Sequence, residues 1–234
     1  MSLNIYSKLL IIKRLIKGAG LVGFIRTIIF NLRYFPFKIA IKLPVILYNK
    51  VYFPGLKRGH IIIENPGFNR LSIGYNGYTY PRPCFFKIDG VMIIRGTGVH
   101  YILPGANIKV MKNGIFEIGD NFSVAFDFRL TVTNQVVVGN NNMWSYHIIM
   151  LDSDMHQITD TFGNVINHNG RIVIGDNVWI GCRATVLKDV QITDNVIIGS
   201  NSLITENLKI TNAVYAGIPA KCIKQGVMWK RDYI

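Results

Sequence analysis

The chain has 234 residues, half of them hydrophobic and 17% charged. That excludes a disordered, weakly apolar polypeptide and leaves length enough for one sizeable core. Lys and Arg number 26 against 13 Asp and Glu, a net charge of +13, which calls for an anionic partner. The excess is uneven. Residues 1–60 hold 11 Lys and Arg and no acid, and the first acidic residue is Glu64. A nucleic-acid-binding domain would carry its basic face on the folded body. The distribution therefore argues against nucleic acid and for a separate basic, apolar leader. Cys84, Cys182 and Cys222 form no CxxC pair, which fits free thiols in a reducing cytoplasm better than a disulfide framework or a zinc site. No secretory signal is evident, and no uncharged apolar run reaches the roughly 18–20 residues of a spanning helix.

Residues 1–60 read as a basic, mostly helical segment, broken at Gly18–Gly20, Pro36 and Pro44. Leu9, Ile12, Leu15 and Ile16 share one helical face, with Lys13, Arg14 and Lys17 opposite; Phe24, Ile28 and Leu32 recur every four residues. Interleaved with so many cations, this leader is expected either to rest on anionic membrane, at the inner face, or to pack on the rest of the chain.

Residues 61–117 carry irregular repeats. From Ile118 the pattern sharpens: Ile118, Val124 and Leu130 are six apart, with Phe122 and Phe128 at a second position. The register then slips by two to Val132, Val138, Trp144 and Met150. Residues 152–170 are polar and read as a loop leaving the repeat. From Ile174 aliphatic or small residues recur every six: Ile174, Ile180, Val186, Ile192, Ile198, Ile204, Ile210 and Ala216. Val178, Ala184, Val190, Val196, Ser202, Leu208, Val214 and Ala220 follow at a fixed offset. A period of six is not helical. It suits a short strand and a turn, in which Asn or Gly takes the left-handed backbone conformation. Three such hexads close one triangular coil, and stacked coils make a β-solenoid. The coil is expected over 61–222, with residues 223–234 as cap or tail.

The repeats I-G-D-N-V-W and I-G-C-R-A-T, the ending A-G-I-P-A-K, and an S-D-M-H segment some two dozen residues before V-W-I-G resemble the hexapeptide-repeat acyltransferases. Within them the resemblance is to the maltose, galactoside and surface-polysaccharide O-acetyltransferase branch, and it is specific over about 115–224. It implies an all-β, left-handed parallel β-helix, a homotrimer with active sites between subunits, acetyl-CoA as donor and a sugar hydroxyl as acceptor, with no metal. His156 falls at the position of that family's catalytic base. A hydroxyl attacks poorly while protonated, and histidine is the side chain suited to take its proton near neutrality. Asp154, two residues earlier, is the candidate to orient the imidazole. Trp179, Cys182, Ser200, Thr205, Lys221 and Lys224 match the family's CoA contacts; Cys182 stands where Ser is usual, and no nearby feature in the sequence activates it. Asn141, His147 and Asp152 are candidate acceptor contacts, Asn141 alternatively a turn residue. Three other readings remain open. One is N-acetylation of an amino-sugar nucleotide and another is a trimeric scaffold without catalysis. The third is a γ-type carbonic anhydrase, whose zinc-histidine spacing is missing here.

Overall fold

The computed structural model describes residues 5–48, 50–75 and 82–232, with backbone alone for residues 5–12 and 14–16. The Leu9, Ile12, Leu15 and Ile16 face, Arg14, and the last two residues of the tail thus lie outside the described side chains. Helix α1 (Ile5–Tyr34) is broken at Gly20, whose φ of 71° and ψ of 170° only glycine adopts readily. Helix α2 (Phe37–Ala40) follows Pro36. The described strands after it build the coils of a parallel β-helix.

Strands of two to six residues stack into three faces. The first face runs from Val45–Leu47 through Leu71–Ile73, His100–Ile102, Ser123–Val124, Met143–Trp144, Trp179–Ile180 and Val196–Ile198 to Ala213–Gly217. It ends with the antiparallel strand Ala220–Gln225. The second runs from Val51–Tyr52 through Cys84–Ile88, Asn107–Val110, Arg129–Val132, Ile149–Leu151 and Thr185–Val186 to Leu203–Ile204. The third runs from Ile61–Ile63 through Val91–Ile94, Ile115–Ile118, Gln135–Val138 and Arg171–Ile174 to Val190–Ile192. Partners sit in register, Trp144 beside Ile180 and Ile180 beside Ile198, so side chains of one type form columns.

Those columns are the core. Ile118, Val124, Leu130, Val132, Val138, Trp144 and Met150 are buried, as are Ile174, Ile180, Val186, Ile192, Ile198 and Ile204. Each contributes about 1.5–3 kcal/mol by leaving water. Phe122 and Phe128 pack edge-on against Trp144, at 4.8 and 5.6 Å between ring centres. The turn between the third and first faces uses left-handed Asn121, Asn141, Asn177, Asn195 and Asn212. Asn121 donates to Asn141 Oδ1 (3.0 Å) and Asn177 to Asn195 Oδ1 (2.8 Å), so the residues that permit the turn also tie successive turns together.

Two expectations need correction, and a third is decided. The coil starts at Val45 rather than 61, because Val45–Leu47 pairs with Leu71–Ile73 and Val51–Tyr52 with Cys84–Phe85. The hexad series ends at Ile204: Ile210 is exposed, and Ala213 and Tyr215 turn inward instead. The segment 209–212 shifts the register by one when the last strand docks beside Val196–Ile198. Of the two readings of residues 223–234, the structure takes the tail: after the last strand ends at Gln225 the chain leaves the end of the coil. It turns back along the coil, where Val227 N donates to Asn212 O, Trp229 Nε1 to Asn177 O (2.7 Å), and Arg231 to Asn142 O, Asn121 O and Ser123 Oγ. It thus crosses successive coils as a strap.

The start of the coil is closed by α1. Asn31 donates to Val45 O (2.7 Å) and accepts from Val45 N (3.2 Å), while Thr27 Oγ1 accepts from Leu47 N (3.0 Å). Four residues along a helix advance about 6 Å, and two along a strand about 6.6 Å. The two side chains therefore match the spacing of the strand's outward-pointing amides. They satisfy the edge that another strand would otherwise occupy.

Candidate active site

The excursion 152–170 leaves the coil after Ile149–Leu151 and returns at Arg171. Its root is Asp152, fully buried. Asp152 Oδ1 accepts from Thr133 N (2.7 Å) and Thr133 Oγ1 (2.8 Å), and Oδ2 from Asn134 N (2.8 Å). The expected sugar contact is therefore corrected: both carboxylate oxygens are committed to backbone and hydroxyl donors out of solvent, and Asp152 anchors the loop.

Beyond that root the loop is held by its own polar groups. Asp160 Oδ1 accepts from Phe162 N and Asn164 N, which lowers its pKa through these bonds, the Asn164 side chain first. Ile166 N donates to Ile158 O, and Thr159 bridges Val165. Phe162 at the tip is 88% exposed, with Met155, Ile158, Val165 and Ile166 also exposed.

His156 faces a cleft of about 280 Å³ lined also by Ser153, Met155, Asn167 and His168. A second cleft of about 200 Å³ shares Ser153 and is walled by Leu151, Asp154, Leu187, Lys188 and Thr205. Asp154 does not hold the imidazole of His156. Its Oδ2 accepts from Lys188 Nζ (2.5 Å) and Asn167 Nδ2 (2.7 Å), and Asn167 also donates to His156 O (2.8 Å). Sequence reasoning expected an acid–imidazole pair. The ammonium captures the carboxylate instead, and holds its pKa below the usual carboxylate value, the Lys188 bond being the largest cause. Lys188 also donates to His168 O (3.0 Å), and His168 Nε2 lies 3.1 Å from Asp189 Oδ2. Lys188 and Asn167 thus position the loop, and neither was singled out from sequence. The sequence carried no distinguishing signal for them: Arg183 is a second cation in the same repeat, and Asn recurs at 177, 195, 201 and 207.

The remaining candidates distribute around the coil. Thr205 lines the second cleft, and Lys221 pairs with Glu206 (3.2 Å) next to it. Lys224 lies opposite Val214 on the terminal strand. Cys182 and Ser200 share the turn between the first and second faces, Sγ 3.3 Å from the Ser200 hydroxyl. That bond, the first of its causes, lowers the thiol's pKa. On the same edge His147 Nδ1 is 3.6 Å from Asp127 Oδ2, and Asp127 Oδ1 pairs with Arg82 (3.2 Å). Trp179 is on the first face, exposed, its ring 6.1 Å from that of Trp229. Asn141 is a left-handed turn residue bonded to Asn121, on the third edge. One chain therefore unites His156, Asp154 and Thr205 at a single edge. It leaves His147, Cys182 and Ser200 at another.

Residues 171–206 match the bacterial transferase hexapeptide (six repeats) family. A polysialic acid O-acetyltransferase from Neisseria meningitidis is 44% identical over 98 residues, 42% of this chain and 46% of that protein. The chain thus matches about half the length of that curated relative. Among solved structures, the polysialic acid O-acetyltransferase OatWY superposes with a TM-score of 0.55 at 23% identity, over 80% of this chain and 89% of that one. A maltose O-acetyltransferase from Clostridium difficile 630 gives 0.43 at 16% identity, over 90% and 87%. The repeat match over 171–206 and the stacked coils agree: the chain carries the hexapeptide repeat there and folds as a left-handed parallel β-helix.

Proposed function

We propose that this chain is an acetyl-CoA-dependent O-acetyltransferase acting on a sugar hydroxyl of a surface polysaccharide, with His156 as general base. The observation that carries the reading is the placement of His156. It stands on an excursion anchored by buried Asp152 and clasped by Lys188, and it lines a cleft with Ser153, Asn167 and His168. The 44% identical stretch of a polysialic acid O-acetyltransferase supports the acyl group and the kind of acceptor.

In this mechanism His156 removes the hydroxyl proton as the sugar oxygen forms its bond to the thioester carbonyl carbon. The imidazolium then returns that proton to the sulfur as the C–S bond breaks, leaving the acetyl ester and free CoA thiol. Thr205, which lines the second cleft, and Lys221, paired with the adjacent Glu206, contact the donor, Lys221 as a point charge toward phosphate. Trp179, Cys182, Ser200 and Lys224 lie elsewhere on the chain. They join this site when a neighbouring copy places its first face or first edge against the loop. The exposed apolar tip around Phe162 is the surface such a copy covers, so the active unit is a homotrimer.

Acetyl transfer to a panel of oligosaccharides, nucleotide sugars and amino-sugar nucleotides, read by mass spectrometry, tests the reading. His156→Ala should retain fold and CoA affinity and lose at least about 100-fold in kcat, the lower range for general-base assistance. A variant within threefold of the parent would remove His156 from the mechanism. His147→Ala, measured alongside, then decides whether the His147–Asp127 pair supplies the base. Products acetylated at nitrogen alone would change the acceptor class.

A further inference from the structure

We infer that the outer face of α1 docks the protein on an anionic lipid bilayer. After the break at Gly20, α1 presents two unlike faces. Gly23, Thr27, Phe30 and Asn31 are buried against the first coil. Leu21, Ile25, Ile29 and Leu32, spaced by four, four and three, fall on one solvent arc together with Val22; they are 45–62% exposed. Phe37 and Ile41, just beyond the helix, are 71% and 61% exposed. A helix that only closed the coil would have a polar outer face. This one repeats large aliphatic residues on the side that the coil does not use.

The charge around the arc selects the occupant. Arg26 and Arg33 adjoin it on one side, and Lys13, Lys17 and Lys38 are exposed on the same segment. No Asp or Glu occurs before Glu64. An apolar stripe edged by cations and free of acids fits the headgroup–acyl boundary of an anionic leaflet, where the stripe enters the acyl region and the cations meet the lipid phosphates. No described helix is long and apolar enough to cross a membrane, so the contact lies in the plane of the surface. It does not depend on the catalytic reading, since binding needs no turnover.

Vesicle flotation of the full chain tests it, with phosphatidylcholine alone and with added phosphatidylglycerol. The protein should float with the anionic vesicles, remain behind with the neutral ones, and detach as salt rises. Ile25→Asp with Ile29→Asp should lower partitioning at least about tenfold, and Arg26→Gln with Arg33→Gln roughly 30-fold. Both pairs are at exposed positions, and unchanged thermal midpoints would show that the fold is intact. Failure of the parent to float, equal recovery on neutral and anionic vesicles, or undiminished binding of the Ile25/Ile29 variant would each overturn the proposal. An oligomer that falls apart in that variant, with no lipid binding by the parent, would assign the face to a second copy of the chain instead.

Discussion

Asp152 and Asp154 stand two residues apart and on opposite sides of the solvent boundary. Asp152 is sealed in, with both carboxylate oxygens bonded where the excursion starts. Asp154 is at the surface, and Lys188 depresses its pKa. A group whose folded pKa is lowered stabilises the fold fully above its unfolded value, near 3.9 for Asp. It loses that contribution as pH falls through the lower folded value. The Asp154–Lys188 clasp should therefore persist through pH 5 and release in strong acid. A carboxyl-carbon NMR titration should place the Asp154 midpoint below that of an unpaired Asp, and Lys188→Met should move it up toward 3.9. An unmoved midpoint would show that Lys188 is not the cause. Neither acid's role was legible in the sequence, where the two differ by nothing except position. Burial and a lysine 34 residues away separate them.

At the scale of elements, period decided what could be read. Ile174 to Ile204 repeat every six residues, and all six aliphatic positions are buried as expected. The first coil was hidden for the opposite reason. Val45–Leu47 and Val51–Tyr52 are strands of three and two residues, too short to show any alternation. The closure by α1 was also invisible, because Thr27 and Asn31 look like ordinary polar positions until an edge strand lies beside them. Their role has a local readout. Hydrogen exchange of the Val45 and Leu47 amides should be slow in the parent, and Asn31→Leu should speed Val45 by about tenfold, one net hydrogen bond's worth. Equal protection in both proteins would mean that packing alone, and not the carboxamide, seals this edge.

For the whole molecule, the scatter of candidate residues over separate edges is itself informative. One chain brings His156 and Thr205 to the same edge while Cys182 and Ser200 remain at another. Under the proposed function, a complete acyl-transfer site draws Cys182 and Ser200 from a second copy, which the proposed trimer supplies. Sedimentation should give a trimer at micromolar protein. Phe162→Asp at the loop tip should weaken assembly and lower activity together, with the coil intact by circular dichroism. A parent that is monomeric yet fully active would refute the shared site.

The second face places Val51–Tyr52 and Ile149–Leu151 four strand spacings apart. At roughly 4.8 Å per spacing, the excursion that carries His156 starts about 19 Å along the axis from the coil that α1 closes. With the proposed docking face as foot and the proposed catalytic loop as tool, the solenoid is a graduated ruler between them. Insertion of one whole coil between them would lift the tool by a single graduation, and removal of one would lower it, leaving foot and tool unchanged. Reach over a surface is then adjustable in discrete steps, a freedom that a globular core of the same size does not offer.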